Sequence, residues 1–146
     1  TQTLTLAGAT AGVPTDTQST TFKSGATALN LVSAGTDATN DNGVNLTGTA
    51  LATLTVTGSE DVDVTANASK VLATADFSGS TAEEINFSAS ASTVALTYKT
   101  AAGTSTSGLT TGSGADTLTL GDLADTVSAP LKRKLNCPPT PYPKDM

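Results

Sequence analysis

The sequence contains no histidine and no tryptophan, and its single cysteine is Cys137. Without an imidazole, the chain has no base for Ser-His or Cys-His nucleophilic catalysis, and it lacks the clustered Cys or His ligands of a zinc site. One cysteine also excludes an intrachain disulfide. These absences predict a protein that is not an enzyme.

Charge of either sign is scarce, and positive charge is the scarcer. Charged residues make up 14% of the chain, with 7 Lys and Arg against 13 Asp and Glu, for a net charge of -6. Nucleic-acid binding depends on basic residues that neutralise phosphates, so nucleic acid is not an expected partner. No apolar run approaches the roughly 20 residues that span a bilayer, so we expect no membrane insertion.

Small residues dominate what is present. Thr, Ala, Ser and Gly supply 79 of the 146 residues, and aromatic residues only 3%. Such side chains fill a narrow core, which favours a slender fold. Apolar residues recur at two-residue spacing, the pattern of short strands with one buried face, in the pairs Leu4/Leu6, Leu29/Leu31, Val44/Leu46, Leu54/Val56, Val62/Val64, Ile85/Phe87, Val94/Leu96 and Leu118/Leu120.

Turn residues separate these strands at intervals that suit sandwiches, barrels and solenoids alike. The small, aromatic-poor core favours an all-β fold of β-solenoid or parallel β-roll type, with a slender β-sandwich as the alternative. The composition changes near Ala129, because residues 129–146 hold five of the six prolines and four of the seven basic residues. We therefore predict one β domain over residues 1–128, and a Pro/Lys-rich tail at 129–146 that lies outside the fold.

The most specific motif is Gly112-Ser113-Gly114-Ala115-Asp116-Thr117-Leu118-Thr119, which matches a nine-residue calcium repeat of parallel β-rolls. Nine residues further on, Gly121, Asp125 and Val127 occupy the equivalent positions. Nine residues earlier, the equivalents are Gly103, Ser105, Ser107 and Leu109. Residues 102–128 thus contain three degenerate repeats, whose oxygen-bearing loops suit Ca²⁺.

These repeats resemble the haemolysin-type repeats of bacterial surface-layer proteins that depend on calcium and leave the cell by type I secretion. The Thr/Ala/Gly-rich rhythm of residues 46–58 is similar to the same proteins. The resemblance implies a structural, self-assembling protein at the bacterial cell surface, with copies of itself as partners and cell-surface polysaccharide as a further one. In that family, alternate repeats lie on one side of the roll.

The resemblance also implies a ligand set. One Ca²⁺ site would combine Gly103, Ser105 and Ser107 with Gly121 and Asp125. On the other side, Gly112, Gly114 and Asp116 belong to the loop of the middle repeat. There Asp116 would face Tyr98 and Lys134, and the family pattern expects aspartate in the place of Lys134. The alternative is that these glycines and aspartates simply form turns between strands.

Three other patterns leave alternatives open. Acidic and amide residues at 37–42 and at 60–63 could supply further oxygen ligands or form solvated turns. Alternating threonines resemble the ladders of ice-binding solenoids, although they do not recur at a constant interval; such threonines also favour strands through their β-branch. A β-roll module of a secreted adhesin and the repeat domain of an exported hydrolase remain rival functions.

Overall fold

The structure, a computed structural model, describes residues 1–7, 18–35, 42–128 and 134–136. In these ranges the chain forms short strands and no helix. The strands are β1 Gln2–Ala7, β2 Gln18–Phe22, β3 Ala28–Ala34, β4 Asn42–Leu46, β5 Thr53–Gly58, β6 Val62–Thr65, β7 Thr74–Ser80, β8 Glu84–Ser88, β9 Thr97–Thr100, β10 Ser105–Thr110, β11 Thr117–Thr119, β12 Val127–Ser128 and β13 Lys134–Asn136.

The strands alternate between two parallel sheets. One, here the odd sheet, has the order β1-β3-β5-β7-β9-β11-β13, and the other, the even sheet, has the order β12-β10-β8-β6-β4-β2. Each strand therefore pairs with the strand two places along the chain, and every described pairing is parallel. A chain that winds in this way is a β-solenoid, which confirms the predicted fold class.

The core lies between the two sheets and follows the predicted alternation. Leu54 and Val56 on β5 are fully buried, as is Leu118 on β11, whereas Thr119 is exposed. The centre of the core is an aromatic cluster of Phe77, Phe87 and Tyr98, whose ring centroids lie 5.4 to 5.6 Å apart. Burial raises the pKa of the Tyr98 hydroxyl, which lies 3.4 Å from the hydroxyl of Thr106.

Small residues at the corners let successive coils stack closely. A Cβ on Gly58, whose φ is 115°, would lie only 1.8 Å from the carbonyl oxygen of Ser33. Serine hydroxyls cross between coils elsewhere: Ser69 donates to the carbonyl of Leu51 at 2.6 Å, and Ser92 donates to that of Leu72 at 2.9 Å. The abundance of Gly and Ser therefore has a structural use at these corners.

Two parts of the structure differ from the sequence pattern. The pair Val94/Leu96 does not form a strand but belongs to the corner before β9, where Leu96 is buried. Three residues of the predicted tail, Lys134–Asn136, form β13 beside β11. They contain no proline, so their N–H groups can enter the ladder. The rest of the tail lies outside the described residues.

Candidate functional site

The nine-residue repeats coincide with strands on alternating sides of the solenoid. Leu109 lies on β10, Leu118 on β11 and Val127 on β12, so the repeat leucines and valine alternate between the even and odd sheets. Leu109 pairs with Val127, 18 residues later. This interval is the one that the repeat pattern requires for two loops to meet on one side.

On the even side, the loop before β12 contacts the loop before β10. The Oδ1 atom of Asp125 accepts a hydrogen bond from the backbone N–H of Thr106 at 2.7 Å. Asp122, which the sequence pattern did not single out, accepts one from the backbone N–H of Gly103 at 2.7 Å. The sequence signal that could have identified Asp122 is its position in a turn, directly after Gly121. The structure thus brings Gly103 and Asp125 to one corner, where two carboxylates bind backbone N–H groups.

The two serines of the predicted site have different surroundings. Ser105 donates from its hydroxyl to the carbonyl of Ala124 at 2.7 Å, so it belongs to this corner. Ser107 lies at a bulge of β10, and its hydroxyl is within hydrogen-bond distance of side-chain oxygens of Glu84 and Asn86 on β8. Its described partners are on the preceding coil, not on the coil of Asp125.

Three of the four repeat glycines lie close to the backbone of the preceding coil. A Cβ on Gly112 would lie 1.9 Å from the carbonyl oxygen of Ser92, and one on Gly114 would lie 2.0 Å from that of Val94. A Cβ on Gly121 would lie 2.7 Å from the carbonyl oxygen of Thr104. Gly103 meets no such contact, but its φ of 80° favours glycine. Close packing therefore explains Gly112, Gly114 and Gly121, and backbone conformation explains Gly103, whether or not an ion binds.

On the odd side, Asp116 is nearly fully buried and its Oδ1 accepts a hydrogen bond from the backbone N–H of Leu96 at 3.0 Å. The pairing of Thr117 with Thr97 sets an interval of 20 residues here. For this reason Asp116 lies beside Leu96, two residues before the expected Tyr98. Lys134, the other expected partner of Asp116, pairs instead with Thr117.

A second acidic corner lies between β5 and β8. Glu60, Asp61 and Glu83 line a pocket of about 140 Å³ together with Ser59 and Thr81. Asp61 Oδ1 accepts from the backbone N–H groups of Glu83, at 2.9 Å, and of the following residue, at 2.8 Å. Across the described ranges, no three Asp, Glu, Cys or His residues are grouped as a metal site.

The remaining acidic residues of the sequence pattern have separate places. Asp63 is exposed on β6, and desolvation raises the pKa of its carboxyl. Asn42 is buried and donates from its amide to the hydroxyl of Ser33 at 2.9 Å. Asp37, Asn40 and Asp41 lie outside the described residues.

The outward side of the odd sheet carries aligned threonines. The strand register places Thr53, Thr74, Thr97 and Thr117 in one column across β5, β7, β9 and β11. The adjacent column, two residues further along each strand, contains Thr55, Asp76, Lys99 and Thr119. The eight residues of these two columns are here called the threonine face.

Asp76 and Lys99 form the charged part of this face. The Asp76 carboxylate accepts from the hydroxyl of Ser78 at 2.6 Å and from its backbone N–H at 3.0 Å. The hydroxyl bond, the backbone bond and the charge of Lys99 together lower the pKa of Asp76. The face therefore presents one negative and one positive charge on neighbouring strands.

Comparison of the chain with protein-family models, with curated proteins and with solved structures gives no match. Within the described ranges, no helix has the length and apolar character to cross a membrane.

Proposed function

We propose that this chain is a non-catalytic structural module of a self-assembling extracellular protein, a calcium-stabilised component of a bacterial surface layer. The observation that supports it most is the 18-residue interval between Leu109 and Val127, with Ser105 and Asp125 at the same corner. The fold is consistent with this role, because a solenoid presents long, regular side faces to neighbouring molecules.

The chemistry of the even-side corner suits a hard cation. Asp122 and Asp125 bring two carboxylates to one loop, and Ca²⁺ prefers carboxylate and carbonyl oxygens. Each carboxylate uses one oxygen for a described backbone bond and has further lone pairs to offer an ion. An ion that binds only the folded form adds stability by mass action, about 2.7 kcal/mol at one hundred times its dissociation constant.

The test compares ligand loss with loss of the hydrogen bond. Asp125→Asn keeps an oxygen that can accept from the Thr106 N–H but removes the charge that an ion requires. We expect wild type to unfold at higher temperature with Ca²⁺ than with chelator, and Asp125→Asn to lose most of that difference. Asp76→Asn is the matched control, since it removes the same charge from the odd sheet.

The result that would contradict the calcium role is equal unfolding temperatures with Ca²⁺ and with chelator for the wild type. A calcium effect that survives in Asp122→Asn and Asp125→Asn alike would place the ion elsewhere. The self-assembly part is tested separately, by electron microscopy and light scattering of concentrated protein with Ca²⁺ and with chelator. Particles that never exceed the monomer would refute it.

Ice binding is a second candidate, because the register aligns four threonines although the intervals between them are unequal. The charged side chains of Asp76 and Lys99 in the adjacent column oppose it. Thermal hysteresis measured on wild type and on Thr97→Lys separates the two functions: ice binding requires hysteresis in wild type and its loss in the variant. Cell-surface polysaccharide remains a proposed partner. The gene sequence that flanks this segment would distinguish a surface-layer component from a module of an adhesin or of an exported hydrolase.

A further inference from the structure

The two outer faces of the solenoid differ in charge. On the even sheet, Asp63 and Glu84 point outward, and the described even strands contain no Lys or Arg. On the odd sheet, the threonine face carries Asp76 and Lys99, so the charges of its eight residues cancel, and Lys134 on β13 pairs with Thr117 at the edge of this face. Two copies that met through their even faces would bring carboxylates together, whereas two odd faces would not repel.

The threonine face is also self-complementary. Asp76 and Lys99 are direct register partners on the adjacent strands β7 and β9. A two-fold axis in the plane of the interface, parallel to these strands and between them, would place each β7 opposite the second copy's β9. Asp76 of each copy would then face Lys99 of the other, as an isologous interface requires.

The same axis matches the remaining members of the face. It places β5 opposite the second copy's β11, so that Thr53 faces Thr117 and Thr55 faces Thr119, while Thr74 faces Thr97. Every facing pair is then either two threonines or two opposite charges. Threonine methyl groups can pack in such a contact while the hydroxyl groups bond across it.

We propose that two copies of this chain pair face to face through the threonine face, with reciprocal contacts between Asp76 and Lys99. The inference rests on the proposed self-assembly and names its surface. Four strands about 4.8 Å apart and three residues about 3.4 Å apart cover on the order of 200 Å². That is about a quarter of what each partner buries in a standard stable interface, so the contact is weak alone and gains strength when several act together in an assembly.

Charge reversal gives a specific test. Lys99→Asp makes both charges of the face negative, and Asp76→Lys makes both positive, so each variant alone should lose association. In a mixture, each acidic residue of one variant would face a lysine of the other, and association should return. Sedimentation equilibrium of the full chain should show the association constant falling at least about tenfold in each variant and recovering in the mixture.

The matched control is Asp63→Lys, which makes the same change on the even face and should not weaken association. Circular dichroism of each variant verifies the fold. If Asp76→Lys unfolds, the loss of association in Lys99→Asp alone still tests the proposed face. Wild-type association that neither reversal changes would overturn the proposed face and leave self-assembly standing. A wild type that stays monomeric at every concentration would overturn both. Hysteresis in wild type without association would assign the face to ice instead.

Discussion

Replacing Leu118 by aspartate should unfold the carboxyl-terminal coils, whereas the same change at Thr119 should leave them intact. Leu118 is fully buried on β11, in register with Tyr98 on one side and Leu135 on the other. Thr119 is the next residue and points outward. The two variants add the same charge one residue apart, so they differ only in the face that receives it.

The cost at Leu118 follows from its burial. Removing a fully buried leucine side chain costs about 2–5 kcal/mol in transfer and cavity terms. An unpaired carboxylate in the same place adds a further several kcal/mol, or takes up a proton to avoid it. The sum, upwards of about 5 kcal/mol, reaches the whole stability of a typical domain. In a solenoid the loss should begin locally, because each coil contacts only its neighbours.

Thermal unfolding followed by circular dichroism measures the overall loss, and amide hydrogen exchange locates it. We expect Leu118→Asp to expose the amides of β9–β13 first, and Thr119→Asp to change the unfolding free energy by about 0.5 kcal/mol or less. If Leu118→Asp is harmless and Thr119→Asp unfolds the protein, the register of β11 is wrong by one residue. The repeat alignment behind the calcium proposal would then fail with it.

Three further predictions concern corners and charge. Gly58→Ala should lower the free energy of unfolding in denaturant by about 3 kcal/mol or more, because it adds a Cβ 1.8 Å from a carbonyl oxygen at a φ of 115°. The control Gly25→Ala has no atom within 4 Å of its Cβ and should change that free energy by about 1 kcal/mol or less. Equal costs for the two variants would contradict the close stacking of coils. Asp61→Ala should lower the free energy of unfolding by about 1–2 kcal/mol, because two backbone N–H groups lose their acceptor. Asp61→Asn keeps an acceptor oxygen and should lose much less stability than the alanine variant. If the two variants lose the same stability, the charge of Asp61 matters and not its hydrogen bonds. Desolvation raises the pKa of Asp63 in the folded chain, so the contribution of this carboxyl to stability is present below pH 3.8 and is lost as pH rises through the raised pKa. Asp63→Asn should therefore be more stable than wild type at neutral pH. Asp76→Asn should be less stable than wild type there, because the pKa of Asp76 is lowered in the folded chain; urea unfolding from acid to neutral pH measures both variants.

Local sequence pattern was sufficient for the strands that carry two large apolar residues. Leu54 and Val56 on β5, or Val62 and Val64 on β6, alternate with polar residues, and a period of two fixes which side is buried. The pattern was too weak for β7 and β9, where Ala75 or Thr100 takes one inward position. Small or polar inward residues give no signal before their neighbours are known.

The candidate calcium corner was also predicted only in part from the sequence. The resemblance to nine-residue calcium repeats implied that Leu109, Leu118 and Val127 alternate between sides, and the strand order has this arrangement. It did not predict the partner of Asp116, because the coil before β11 is two residues longer than the repeat. It also missed Asp122, whose role depends on a backbone N–H of the preceding coil.

The sequence by itself determined that the chain forms short strands with one buried face around a narrow core, because alternation of apolar and polar residues and an excess of small side chains are local properties. The tertiary structure alone decided which residues of different coils lie side by side. Thr53, Thr74 and Thr97 follow one another at unequal intervals, yet they form one column, because the corners absorb the difference in length while the ladder bonds hold the strands in register. The threonine face and its reciprocal charges are therefore visible only in the folded chain.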